Sequence, residues 1–150
     1  MRSLTDGEGQ RKGGGDGEGA TDKPPPTAEE EQQQQQQELR RWHAEQVAAM
    51  EHGTLAEATD ALLDLTYNEP DQAWLEAYLL SCLLDPDRDE QVRQLAVTCL
   101  GHIGRMAGTI LDPRVVPTLT GLLGDPLLGG TAEDALGDIR HFAPDAFNAG

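Results

Sequence analysis

An internal repeat constrains the fold of this chain more than any other feature of its sequence. The segment LLSCLLDP, residues 79–86, parallels LTGLLGDP, residues 119–126, at an offset of 40. Further along, LGHI, residues 100–103, parallels LGDI, residues 136–139, at an offset of 36. The offset falls because the second copy has a shorter turn between the two blocks. Intervals of 36 to 40 residues are typical of stacked helix pairs, in which each pair covers the apolar face of its neighbour.

The spacing of the apolar residues predicts helices throughout the repeat region. From Thr54 onward they recur every three or four positions, and no segment alternates with a period of two over a strand's length. Capping boxes begin helices at Thr27 and Thr54. Asp112 is predicted to cap a further short helix, with Pro113 at its first position and Gly124 at its end. The sequence therefore predicts an all-α fold of five or six helices. The residues expected in the apolar stripes include Trp74, Tyr78, Leu100, Leu136, Ile139 and Phe142.

Composition divides the 150 residues into three parts. Residues 1–27 hold seven of the 17 glycines and three of the nine prolines, so they bury too little apolar surface to offset the entropy of ordering and are predicted to be a disordered tail. Residues 28–53 contain a run of six glutamines and are predicted to form a helical linker. Residues 54–147 form the predicted repeat domain.

The chain is strongly acidic, which limits the partners it can bind. Its formal net charge is −16. From residue 38 onward, 19 acidic residues face seven arginines and no lysine. Such a surface repels nucleic acid and anionic membranes, whereas a basic protein partner is compatible with it. No signal peptide or apolar run of about 18 residues is present, so a soluble, cytoplasmic protein is expected.

The first copy of the repeat carries a recognisable family pattern. The segment LLDPDRDEQVRQLAVTCLGHIGR, residues 83–105, resembles a HEAT repeat in the short bacterial form also found in phycobilisome-lyase-type proteins. The resemblance implies a short α-solenoid of HEAT-like helix pairs and an Asp87–Arg93 pair that bonds along the stack. Gly129 takes the place of Arg93 in the second copy, so this ladder should not continue there. The matching residues are Leu83, Leu84, Asp85, Pro86, Val92, Arg93, Ala96, Leu100 and Gly101.

The resemblance implies binding and not catalysis. Some small bacterial HEAT-like proteins resemble immunity proteins for secreted toxins, so we expect a non-catalytic scaffold that binds a protein partner, with an immunity protein as the narrower hypothesis. The alternative is a lyase-like or enzyme accessory protein that acts on a chromophore or a protein subunit. Visible absorbance after purification would favour the alternative, and co-purification with the product of a neighbouring gene would favour the immunity protein.

An acidic run before the second helix of the first copy resembles the start of a calcium loop. Asp85, Asp87 and Asp89 occupy the first three ligand positions of such a loop. The loop also needs glycine at its sixth position and glutamate at its twelfth, where this chain has Glu90 and Ala96. The run is therefore interpreted as a helix start, where acidic side chains are favoured beside free amide groups.

Other chemistry has no support in the sequence. The four histidines share no i, i+4 spacing, and neither HExxH nor CxxC occurs. Cys82 and Cys99 lie in apolar stripes and are interpreted as buried thiols in a reducing compartment. Ser81 lacks the GxSxG context of a nucleophile. No catalytic residue, metal or cofactor is predicted.

The second helices of stacked pairs line one face of a solenoid, and this face is the expected binding surface. Its charge passes from mixed on the first copy to acidic on the second. Two repeats are fewer than the three usually needed, so self-association through an open end is also expected as an alternative. The candidate partner-binding residues are Arg93, His102, Arg105, Glu133, Asp134, Asp138 and His141.

Overall fold

The structure, a computed structural model, describes residues 24–148. Within that range it contains six α-helices, one short 3₁₀ helix and no β-strand, which confirms the predicted all-α fold. The expected disordered tail lies outside the described residues except for positions 24–27. The helices are α1 (Ala28–His52), α2 (Leu55–Asn68), α3 (Gln72–Leu84), α4 (Glu90–Ala107), α5 (Val115–Gly121), α6 (Gly129–Phe142) and the 3₁₀ helix (Pro144–Phe147).

Helix α1 crosses the boundary between two compact units of the chain. Leu39 is the last residue of the first unit and Arg40 the first residue of the second. The boundary therefore lies inside the segment predicted as a linker, residues 28–53. In the second unit, Met50 is buried and Trp42 packs against the core, so this half of α1 belongs to the folded domain.

Side chains cap the helices largely where the sequence indicates. Thr54 and Glu57 form the predicted capping box of α2, with each side chain bonded to the other's backbone amide. Asp71 accepts from the amide of Trp74 at the start of α3, and Asp89 accepts from that of Gln91 at the start of α4. These bonds satisfy amides that a helix start leaves free. Asp89 thus has the helix-start role predicted for the acidic run.

The second unit is built from three consecutive helix pairs. Trp42 Nε1 donates to Asp64 Oδ2 at 3.2 Å and joins α1 to α2. Helix α3 packs against α4, and α5 packs against α6. The second helices form a layer, because α4 lies against α2 on one side and α6 on the other. This arrangement is a short solenoid-like stack, whose buried centre includes Leu62, Leu65, Leu79, Leu80, Leu83, Leu100, Leu119, Leu128 and Ile139.

The two sequence copies occupy matching places in this stack. Leu100 in α4 and Leu136 in α6 are both buried. In the turn of the first copy, Asp85 Oδ1 accepts from the amide two residues later at 2.9 Å. In the second copy, Asp125 Oδ1 accepts from the amide of Leu127 at 2.8 Å. The repeat read from the sequence is therefore a structural repeat, while membership of the HEAT family stays a prediction.

Three predictions about the second copy were wrong in detail. Asp112 is not the N-cap of α5, because the helix begins at Val115 and residues before it form a turn. Asp112 Oδ1 instead accepts from the amide of Arg114 and pairs with the Arg114 guanidinium group. Helix α5 also ends at Gly121, earlier than predicted. Phe142, expected in the apolar stripe of α6, is 45% exposed because α6 ends there, beyond the part that packs on α4.

Candidate protein interface

Four of the predicted interface residues lie near the C-terminal ends of α4 and α6. In α4, an Arg105 guanidinium nitrogen lies 2.5 Å from His102 Nδ1. Burial lowers the pKa of His102, nearby Arg105 lowers it further, and the Asp138 carboxylate of α6 acts in the opposite direction. A neutral imidazole can accept a hydrogen bond from Arg105 at Nδ1. His141 lies one turn further along α6, so the structure brings these four side chains onto one surface.

Three exposed apolar side chains that the sequence analysis did not assign to the interface adjoin this surface. Tyr67, near the end of α2, is 55% exposed and its ring centroid lies 6.1 Å from that of His102. Met106 is 51% exposed in the last turn of α4, and a cavity of about 220 Å³ lies between it and Tyr67. Phe142 ends α6, with its ring against that of His141. We call Tyr67, His102, Arg105, Met106, Asp138, His141 and Phe142 the second-helix face.

Arg93 lies apart from the second-helix face, although the sequence analysis grouped it with these residues. It is in the first turn of α4, half-buried, and its Nε donates to the Leu83 carbonyl at 3.0 Å. Among the described residues no ion pair joins it to Asp87, so the pair implied by the family resemblance does not form. The free carbonyl at the end of α3 takes the guanidinium group instead. Arg93 serves the packing of the first copy.

Glu133 and Asp134 extend the surface with negative charge. Both are exposed in the first half of α6, and within residues 24–148 neither takes part in an ion pair. Asp134 lies one turn before Asp138 on the same side of the helix. The face therefore passes from mixed on α4 to acidic on α6, as the sequence indicated.

The opposite side of the stack carries an aromatic groove between α1 and α3. Trp74 stacks on Tyr78 with ring centroids 4.9 Å apart, and His43 meets Trp74 edge-on at 4.3 Å. We call this groove of about 550 Å³ the first-helix groove. The sequence did not reveal this groove, because Trp74 and Tyr78 also fit the spacing of an apolar stripe. Their aromatic character and spacing of four residues were the available signal. The groove is lined by His43, Ala44, Val47, Ala48, Glu51, His52, Trp74 and Tyr78.

A polar network closes one end of the first-helix groove. The Tyr78 hydroxyl donates to Glu51 Oε2 at 2.6 Å, and Arg88 pairs with the same carboxylate. These two hydrogen bonds lower the pKa of Glu51, while burial and the hydrogen bond to Glu51 raise the pKa of Tyr78. The network ties the end of α1 to the turn that precedes α4.

The described residues do not assemble a centre for metal or thiol chemistry. No group of three or more histidine, cysteine or acidic side chains within residues 24–148 is placed to hold a metal ion. Cys82 and Cys99 are buried, as predicted, and unbonded to each other. Burial raises the pKa of both thiols to about 11, so they stay protonated near neutral pH. In the same part of the chain, every helix is too short or too polar to cross a bilayer.

Comparison with solved structures gives a match that extends to the sequence. No protein-family model matches the chain, and no curated protein does. A chain in a crystal structure of a CDI complex from Cupriavidus taiwanensis LMG 19424 is 35% identical, with a TM-score of 0.61. The match covers 68% of this chain and 89% of that chain. The similarity thus extends to the sequence over most of that chain.

Proposed function

We propose a function from one premise, which is that this chain belongs to the same protein family as the matched chain of the Cupriavidus taiwanensis CDI complex. CDI denotes contact-dependent inhibition, in which an immunity protein binds a toxin. Our proposal is that this chain is an immunity protein of such a system. It binds a toxin in the cytoplasm and blocks it by occupying its surface, without catalysing a reaction.

The match to a component of a CDI complex is the observation that carries this proposal. The charge of the chain supports it, because a formal net charge of −16 favours a basic partner. Complementary charge speeds the encounter of two proteins, and a toxin that acts on nucleic acid would carry the basic surface that this chain could cover.

The second-helix face is the surface that we propose for the toxin. Tyr67, Met106 and Phe142 supply exposed apolar contact area of the kind that anchors protein interfaces. The carboxylates of Asp134 and Asp138 lie beside them and would pair with basic side chains of the toxin. In many complexes the apolar anchors at the centre of the interface contribute most of the affinity, and the charges at its rim mainly change the association rate.

Co-expression tests the function. The product of the neighbouring gene is expressed alone, and then together with this chain, in a host whose growth is followed by optical density. We expect the neighbour to stop growth and this chain to restore it, with the two proteins eluting as one complex. Arrest of growth by this chain alone would instead make it the toxic component. Visible absorbance of the purified chain would favour the accessory protein that acts on a chromophore.

Charge reversal and truncation then test the surface within the same complex. We expect Glu133→Lys combined with Asp134→Lys to slow association at low salt, because the attraction to a basic partner is lost. Tyr67→Ala should speed dissociation, since Tyr67 is an exposed anchor whose removal leaves the fold intact. The matched control is Ala48→Arg, which obstructs the first-helix groove from an exposed position. Loss of binding in the control, with full binding in the other variants, would move the interface to that groove.

A further inference from the structure

A carboxylate is buried in the middle of α3 without a cationic partner. Glu76 is 0% exposed, and within residues 24–148 it forms no ion pair. Its oxygens accept from the Leu111 amide at 3.0 Å each and from the Asp112 amide at 2.7 Å. Gln72 Nε2 donates to the same carboxylate at 2.8 Å and to the Thr109 carbonyl at 2.9 Å. Two side chains of α3 thus hold residues 109–112.

The cost of burying a charge makes this contact dependent on every donor. A buried carboxylate loses its hydration and is tolerated only where hydrogen bonds replace it. Here the replacement comes from backbone amides of Leu111 and Asp112, more than 30 residues away in sequence. The carboxylate and the connection between α4 and α5 therefore stabilise each other. When they separate, the carboxylate and the two backbone amides all lose these hydrogen bonds.

The segment held by Glu76 is the start of the third helix pair. Helix α4 ends at Ala107 and is capped by Gly108, which has a left-handed φ of 69°; the chain then reaches α5 through residues 109–114. Helix α5 has only seven residues and no side-chain cap at its N-terminus. Just before α6, the Leu127 carbonyl accepts from Gln94 Nε2 of α4 at 3.3 Å. A helix as short as α5 depends on its surroundings for stability.

We propose that Glu76 is a conformational latch, whose buried carboxylate holds the start of α5 so that residues 109–121 open locally when the latch is lost. Helices α2, α3, α4 and α6 stay folded in the open form, because α4 packs directly against the other three. The inference concerns the chain alone and does not depend on the proposed function.

Hydrogen exchange of the full chain, followed by mass spectrometry, tests the latch with Glu76→Gln. The substituted amide has the same size, but only one of its two terminal atoms accepts hydrogen bonds. Its NH2 group must therefore face either the Gln72 Nε2 donor or the amides of Leu111 and Asp112. We expect exchange in residues 109–121 to become at least about tenfold faster, while exchange in α2 to α4 changes less than about twofold. Equal acceleration in all helices, or no acceleration in 109–121, would overturn the proposal.

Two further variants keep the result decisive. Glu69→Gln is the matched control, because Glu69 is also a mostly buried carboxylate, and accepts from the Asp71 amide at 2.9 Å. It should speed exchange near Asp71 and leave 109–121 unchanged. Gln72→Ala removes one donor to Glu76 and should open the same segment to a smaller degree. If Glu76→Gln does not fold, Gln72→Ala decides: selective acceleration of 109–121 supports the latch, and uniform acceleration contradicts it.

Discussion

Helices α4 and α6 are the second helices of the two sequence copies. They differ on the outer side, which in α4 packs against α6. In α4 this side carries Gly101 and Gly104. A Cβ at Gly101 would lie 3.0 Å from Ala135 Cα, so α6 approaches closely. The position in α6 that matches Gly101 is Gly137, where a Cβ would meet nothing within 4 Å. The same glycine thus lies in a helix contact in one copy and in open space in the other.

The neighbouring positions show that the outer side of α6 is polar where the matching side of α4 is apolar. Val97 is buried in α4, and its counterpart in α6 is the exposed Glu133. Gly104 is buried, and its counterpart Arg140 lies with its guanidinium carbon 4.5 Å from the Phe147 ring of the 3₁₀ helix. Polar outer positions are what terminal repeats need for solubility. The residues that α4 and α6 share form the packing within each helix pair. The residues that differ decide whether a further helix can pack on the outer side.

The largest expected difference between the two copies comes from two separate variants, Val97→Glu in α4 and Glu133→Val in α6. Val97→Glu puts an unpaired carboxylate at a position that is 0% exposed. We expect a loss of about 5 kcal/mol in the free energy of unfolding, enough to leave the chain largely unfolded. Glu133→Val, at the exposed counterpart, should change that free energy by less than about 0.5 kcal/mol. Urea denaturation followed by circular dichroism measures both, and similar losses in the two variants would contradict the assignment of α6 as the terminal helix.

Leucine truncation tests what the two copies share. Leu100 and Leu136 are 0% and 5% exposed at matching positions. We expect Leu100→Ala and Leu136→Ala to cost about 3 kcal/mol each, because each leaves a cavity in the same core. The measurement is again urea denaturation, with the slope checked for two-state behaviour. A cost below about 1 kcal/mol for either leucine would show that the copies are not equivalent.

Alanine at the matching glycines should give effects of opposite sign. Gly101→Ala forces a Cβ against the backbone of Ala135, and we expect a loss of about 2 kcal/mol despite the better helix propensity. Gly137→Ala meets open space and should gain about 0.5 to 1 kcal/mol from helix propensity alone. Melting temperatures of the two variants beside the wild type decide the sign, and stabilisation by both would mean that α4 and α6 can separate without cost.

The sequence predicted the elements because they depend on local spacing. Helical periodicity, the capping box at Thr54 and the two D-P turns all act over a few residues, so no knowledge of the fold was needed. Leu100 and Leu136 were paired correctly for the same reason. The predicted start of α5 was wrong because the Asp112 amide donates to Glu76. These two residues are 36 positions apart in the sequence, and such a contact leaves no periodic signal.

The repeat also explains why four of the predicted interface residues lie close together. His102, Arg105, Asp138 and His141 lie at matching places in two copies, so the repeat itself brought them together. Tyr67 lies outside the repeat, and only the packing of α2 on α4 places it beside His102. A partner contact by Arg93 stays a prediction. Its Nε donates to the Leu83 carbonyl, and the sequence does not distinguish a side chain that serves solvent, a partner or a free carbonyl.

The smallest expected effect comes from the turns that begin the second helix of each copy. Asp125 Oδ1 accepts from the amides of Leu127 and Leu128, and these hydrogen bonds lower the pKa of Asp125. A carboxyl with a lowered pKa stabilises the fold above its unfolded pKa, and this contribution is lost as the pH falls through the folded value. We expect Asp125→Asn to lower the melting temperature slightly at neutral pH, with the difference shrinking once the pH falls below about 4. Asp85→Asn should have a smaller effect at neutral pH, because Asp85 accepts from one backbone amide, that of Asp87, and its ion pair with Arg88 is long, at 3.9 Å. Equal effects in the two copies, or a difference for Asp125→Asn that persists in acid, would show that the charge in the second turn contributes nothing that the first turn lacks.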